Sequence, residues 1–108
     1  MVITSVGLEG GRVATVGYDS REASFWELEN VLVPAQYSGT GDMFASVLIG
    51  GLLNGDELPA AMNRATSFTE HTVRITYEHK RPWTDGLMFE GELSQLTSQQ
   101  KLCDYKRI

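Results

Sequence analysis

Thirteen consecutive positions, Met43 to Gly55, hold only two polar side chains, Ser46 and Asn54, and they follow directly on Tyr37-Ser38-Gly39-Thr40-Gly41-Asp42. At helical spacing Met43, Phe44, Val47, Leu48 and Leu52 share one side, while Ala45, Ile49 and Leu53 cover the other. A helix that is apolar all round is a buried helix, so the sequence predicts this one between a sheet and a second helix. Gly50-Gly51 weakens it by about 1 kcal/mol per glycine relative to alanine, which predicts close contact with a neighbouring backbone as the reason for their presence. Asn54-Gly55 is a C-terminal stop.

The turn leading into that helix carries the chemistry. Gly39 and Gly41 can take positive φ and let another group approach the backbone closely. The first amides of a helix lack intrahelical acceptors and sit at the positive end of its dipole, so a glycine turn feeding a helix is a site for an anion, phosphate above all. Asp42 is out of place in that role, since a carboxylate repels a bound phosphate. It makes sense as the group that takes a proton from a nucleophile attacking the phosphate. Ordinary helix capping by an acidic residue in the first turn is the plainer explanation of the same string.

Ahead of the turn lie three strand candidates. Val2-Ile3-Thr4-Ser5-Val6 is rich in β-branched residues and reads as a buried strand. Gly7 to Gly11 forms a turn, and Arg12 to Tyr18 alternates as its antiparallel partner. Ser24 to Val33 is the third strand, closed by Pro34, which removes a donor. Beyond the apolar helix, Asp56 is the predicted N-cap of a second one, with Pro59 tolerated in its first turn. Leu58, Ala61, Met62, Ala65, Phe68, Thr69, Thr72 and Ile75 fall on one stripe of small and mixed residues suited to packing on another helix. Pro82 ends that segment, Gly86 to Phe89 is a short apolar piece, Glu92 to Leu96 allows a helical turn or two, and the polar tail over 97–108 is expected to fray.

Composition narrows the function. With 108 residues the chain is at most one domain, and a net charge of −5 argues against general affinity for nucleic acid or anionic membrane. The local basic group Arg74, His79, Lys80 and Arg81 reads as a solvated helix end. A single cysteine, Cys103, precludes an internal disulfide and fits a reducing, cytoplasmic setting. No apolar run is long enough for a membrane span, and no secretory signal is visible. His71 and His79 have no companion ligands at metal-binding spacing, so no metal-ligating residues are assigned.

Strands first and then two long helices, with an anion-binding turn between, describe a portion of an α/β domain. The run Tyr37-Ser38-Gly39-Thr40-Gly41-Asp42, continued through Met43 to Leu48 and Gly51 to Asp56, resembles the C-terminal part of the pyridoxal (pyridoxine, pyridoxamine) kinases of the ribokinase-like superfamily. Leu58-Pro59-Ala60-Ala61 and the close Pro82…Phe89-Glu90…Leu93…Leu96 match as well, and Val2-Ile3-Thr4-Ser5 looks like the family's strand end beside the nucleotide. The resemblance runs from about residue 2 to 96 and implies a three-layer α/β/α fold whose N-terminal part lies outside residues 1–108.

It also implies transfer of the γ-phosphoryl group of ATP to the 5′-hydroxymethyl of a B6 vitamer, with Mg2+ bridging phosphate oxygens and, in some members, a monovalent cation. On that resemblance Asp42 falls on the catalytic base and Gly39, Thr40 and Gly41 on the anion hole. Thr4 and Ser5 fall beside ATP, and Asn30, Val31, Leu32 and Val33 on a stretch lining the nucleotide pocket. The vitamer contacts belong to the N-terminal part, so the chain alone is expected to be inactive and to depend on that part or on a homo-oligomer. A sugar, nucleoside or hydroxymethylpyrimidine kinase is the alternative within the superfamily, although hydroxymethylpyrimidine kinases often carry cysteine where Asp42 stands. A non-catalytic interaction module is the alternative outside it.

Overall fold

The computed structural model describes residues 1–31, 37, 39–80, 86, 89–97 and 105–108. Three strands come first, β1 (Val2–Gly7), β2 (Arg12–Asp19) and β3 (Ser24–Val31), followed by α1 (Thr40–Leu53) and α2 (Leu58–Glu78). A 3-10 helix over Glu90–Thr97 and a short strand β4 (Tyr105–Arg107) complete the chain. The strands form one antiparallel meander in the order β1-β2-β3-β4.

Pairing of Val13 with Asn30, Thr15 with Leu28 and Gly17 with Trp26 places these side chains on one face of the sheet. That face receives α2: Leu28, Leu58 and Met62 form the core cluster, with Val2, Trp26 and Leu48 packed around it. Gly17 is small for this reason, since a Cβ there would overlap the Met62 sulfur and approach Leu58 Cδ2 to 3.4 Å.

The helices stack in an order opposite to the expected one. α2 lies against the sheet and α1 packs on α2, so the apolar helix is an outer layer of the described structure. The cause is the two-sided pattern of α2. Leu58 and Met62 face the strands, while Ala61 meets α1 at Gly51 and Thr72 meets it at Met43, where its hydroxyl lies 3.4 Å from the sulfur. A Cβ on Gly51 would sit 3.3 Å from the Ala61 Cβ and 3.5 Å from its Cα, so this glycine does serve a close helix approach. Gly50 has open space instead. Within α1 only Gly51 is buried, and Leu53 stands 84% exposed.

Three further expectations are corrected. β1 forms, but everything after Val2 in it is exposed, because the described strand has a neighbour on one side only. The tail does not simply fray: residues 105–107 pair with Trp26–Leu28, and the Ile108 amide donates to Phe25 O at 2.9 Å. Main-chain groups along the outer edge of β3 need partners whatever the side chains are, so this strand leaves no sign in a polar sequence. Asp56 does not cap α2. The N-cap is Glu57, without a side-chain bond, and the Asp56 carboxylate accepts instead from Arg64 Nε at 3.0 Å. Arg64 Nη1 also donates to Leu96 O at 2.6 Å, and His71 Nε2 lies 3.0 Å from Glu92 Oε2. These two contacts tie the 3-10 helix, which contains the anticipated turn at Glu92–Leu96, onto α2. Among the basic residues near the end of α2, Arg74 pairs with Glu70 and His79 Nδ1 lies 2.8 Å from Ile75 O, as a helix terminus would have them.

Candidate functional site

The turn before α1 has the geometry that its two glycines suggest at one position and a different one at the other. Gly39 is the N-cap, in the left-handed region at φ 87° and ψ 3°. Its carbonyl accepts the Met43 amide at 2.9 Å, which is the first regular bond of the helix. Thr40, Gly41 and Asp42 therefore occupy the first turn, ahead of that bond, where amides have no intrahelical acceptor. Thr40 is held from behind: its hydroxyl donates to Tyr37 O at 2.8 Å and its amide lies 3.4 Å from the same oxygen. This local hydroxyl-to-backbone closure fixes the turn and was not anticipated, although a threonine three residues after the turn begins is its usual signal. Gly41 has no positive φ and a Cβ on it would meet nothing within 4 Å. Among the described residues, packing thus supplies no reason for a glycine there.

Asp42 is exposed, in the first turn of α1, and its main-chain carbonyl accepts the Ser46 hydroxyl at 2.8 Å. No side chain caps the helix, and no described side chain engages the Asp42 carboxylate. An acidic residue in the first turn is favoured by the helix dipole without such a bond, so the plainer explanation stands beside the catalytic one.

Thr4 and Ser5 lie where the pairing of β1 with β2 shifts register, between Ile3 (opposite Val16) and Val6 (opposite Ala14). Both are exposed, and Ser5 has φ 60°, an uncommon conformation for a residue other than glycine and one concentrated at functional sites. The bulge is a feature at which the β-branched run does not hint. It stands across β2 from Leu28, two residues along β3 from Asn30. Asn30 is half-buried on the helix-bearing face, and Val31 ends β3 opposite Arg12. Asn30 and Val31 thus lie two and three residues further along β3, with β2 between them and Thr4–Ser5. Gly39 follows Val31 by only a short connection, residues 32–38. Leu32 and Val33 fall outside the described residues, as do Ser38 and Cys103.

Among the described residues no group of three or more His, Cys, Asp or Glu side chains could hold a metal ion. Asp42 is a single carboxylate and has no such companions among the described residues. Among them, too, no helix is long and apolar enough to cross a membrane.

No family model and no curated protein sequence matches the chain. Solved structures do. A protein from Bacteroides thetaiotaomicron VPI-5482 designated a phosphomethylpyrimidine kinase superposes with a TM-score of 0.93 at 33% identity, over 99% of this chain and 37% of that one. Its orthorhombic form with pyridoxal gives a TM-score of 0.86 at the same identity, over 99% and 38%. Pyridoxal kinase from Leishmania donovani, in complex with ADP and pyridoxamine, matches in fold at 18% identity with a TM-score of 0.79, again over 99% and 38%. The chain spans less than two-fifths of the length of these relatives. It has the fold of a portion of a ribokinase-like kinase, and its resemblance to the pyridoxal kinases holds in three dimensions as it does in sequence.

Proposed function

We propose that this chain carries the anion hole and the catalytic base of a cytoplasmic, ATP-dependent kinase acting on the hydroxymethyl group of a B6 vitamer. The observation that carries the proposal is Asp42 itself: an exposed carboxylate without a described side-chain partner, one residue beyond the open space at Gly41. In the proposed reaction Asp42 takes the proton of the substrate hydroxyl as its oxygen attacks the γ-phosphorus. The bond from that phosphorus to the bridging oxygen breaks, and its electron pair leaves with ADP. In this reading Gly39, Thr40 and Gly41 form the anion hole, the Thr40 amide exchanging its long 3.4 Å contact with Tyr37 O for the transferred group, and donors fixed in such a hole contribute about 3 kcal/mol each where they have been removed singly. Thr4, Ser5, Asn30, Val31, Leu32 and Val33 line the nucleotide. Magnesium would add charge neutralisation on the phosphate oxygens, held by those oxygens and by groups beyond the described residues.

Support for the substrate class comes from the relatives: the Bacteroides protein was crystallised with pyridoxal and the Leishmania enzyme with ADP and pyridoxamine. The designation of the former as a phosphomethylpyrimidine kinase favours a hydroxymethylpyrimidine as the second reading. A coupled ATP-consumption assay tests both, run on the chain joined to the N-terminal portion of the Bacteroides relative. Pyridoxal should be turned over in preference to hydroxymethylpyrimidine and to sugars, and Asp42→Asn should lower turnover by about 10²- to 10⁴-fold while leaving nucleotide affinity nearly intact. Unchanged turnover in that variant removes Asp42 from the role. The 108-residue chain alone should turn over nothing.

A further inference from the structure

The last part of the chain touches both the helices and the sheet. Its 3-10 helix lies on α2, where Arg64 Nη1 donates to Leu96 O at 2.6 Å and His71 Nε2 stands 3.0 Å from Glu92 Oε2. Its strand β4 lies on the outer edge of β3, with Trp26 opposite Arg107 and Leu28 opposite Tyr105, and the Ile108 amide donates to Phe25 O. Arg64 and His71 are two helical turns apart and so share one face of α2. Glu92 meets the later of the two and Leu96 the earlier, so the 3-10 helix runs antiparallel to α2. The two contacts are about 10 Å apart along α2 and about 8 Å apart along the 3-10 helix, a difference that a long arginine side chain absorbs. Arg64 is itself aimed by Asp56, whose carboxylate accepts from its Nε at 3.0 Å.

β4 by contrast has little to hold it. It pairs at three positions, about half the length of an ordinary strand, and has no neighbour on its far side among the described residues. Its hold on β3 therefore depends on how closely the chain presents it there. With the 3-10 helix docked, the tether to β4 is residues 98–104. With that helix released, the tether runs back to the end of α2, over residues 79–104. Effective concentration falls with the 3/2 power of the length of an ideal tether, so release lowers that of β4 at β3 about sevenfold.

We infer that residues 90–107 form a two-point strap, in which Arg64 and His71 latch the 3-10 helix to α2 and the latch keeps β4 on β3. The strap replaces the 8-residue outer edge of β3 with a 3-residue one. Short edge strands are poor templates for pairing with another chain, so the latch protects this side of the sheet. The inference stands on bonding and tether length and does not depend on the chemistry proposed for Asp42.

Amide hydrogen exchange on the 108-residue chain tests it. Arg64→Ala combined with Glu92→Ala removes both latch contacts. Exchange at 90–97 and at 105–108 should then rise together, the latter about sevenfold, while amides in the middle of α2 change by about twofold at most. A rise at one piece of the strap without the other overturns the inference. So does a rise at neither, or one that α2 shares in equal measure. Should the double variant unfold the chain, Glu92→Ala alone, a change confined to the strap, decides by the same comparison.

Discussion

Gly39 and Gly41 flank one threonine and are replaceable by alanine in opposite senses. At Gly39 the backbone stands at φ 87°, where a side chain is strained although a Cβ would meet no atom within 4 Å. The penalty of Gly39→Ala is therefore conformational and should be about 1–2 kcal/mol. At Gly41 the backbone is helical, and a Cβ again meets nothing within 4 Å. Gly41→Ala removes the entropic handicap of glycine in a helix, worth up to about 1 kcal/mol, in favour of the fold. For a chain of this size, each kcal/mol moves the melting temperature by roughly 4–8 °C, so the two variants should melt well apart on either side of the unmodified chain. Both should nevertheless weaken ADP and phosphate binding in the length-completed protein. In the proposed anion hole a methyl at position 41 would crowd an incoming phosphate, and one at position 39 would strain the turn that presents it. Circular-dichroism melts and calorimetric titration with ADP separate the two effects. If Gly41→Ala lowered the melting temperature, or stabilised the fold and left ADP affinity unchanged, the space at Gly41 would not be a ligand site.

The helix pair offers a similar contrast. Gly51→Ala should destabilise by about 1–3 kcal/mol, since its Cβ would stand 2.8 Å from the Asp56 carboxylate and 3.3 Å from the Ala61 Cβ, whereas Gly50→Ala, in open space, should stabilise by up to about 1 kcal/mol in urea titrations. Met62→Ala removes a fully buried side chain from the core cluster and should cost about 2–5 kcal/mol by the same measurement. Ser5→Gly should relieve the φ of 60° and stabilise the chain by about 1 kcal/mol, and in the length-completed kinase it should raise the KM for ATP if the hydroxyl lies beside the nucleotide.

What the sequence disclosed and what it withheld divide along a physical line. Local rules were legible. The strand-turn-strand start, the helix that begins at Gly39-Thr40-Gly41-Asp42 and the long amphipathic α2 all follow from period and turn chemistry, although α2 stops at Glu78, short of the Pro82 expected to end it. Order of layers was not legible, because an all-round apolar helix states that it needs cover without stating whose. The stripe on α2 reads in sequence as a single contact surface, yet its Ala61 side takes α1 and its Met62 side takes the sheet. β4 escaped because strand addition through the main chain leaves no mark on side-chain pattern. The bulge at Thr4–Ser5 escaped for a related reason, since a β-branched run specifies extended chain and says nothing about an extra residue in it relative to its partner.

That apolar helix also explains why the site and the uncovered surface belong to the same element. Residues at a helix N-terminus act on a ligand only if the helix cannot shift, and here α1 is fixed to α2 along one side, from Met43 against Thr72 to Gly51 against Ala61. Its other side, Ile49 and Leu53, is free in the chain as described. A helix clamped on one flank can still rock about that contact. In the proposed kinase, covering the second flank would steady the Gly39–Asp42 turn and with it the position of the Asp42 carboxylate. Catalytic rates fall steeply with misplacement of about 1 Å. Substitution of Leu53 by alanine in a length-completed kinase should therefore lower kcat more than it raises the KM for ATP, although Leu53 lies eleven residues beyond Asp42. Equal effects on the two constants, or none, would detach the outer face of α1 from the chemistry at its N-terminus.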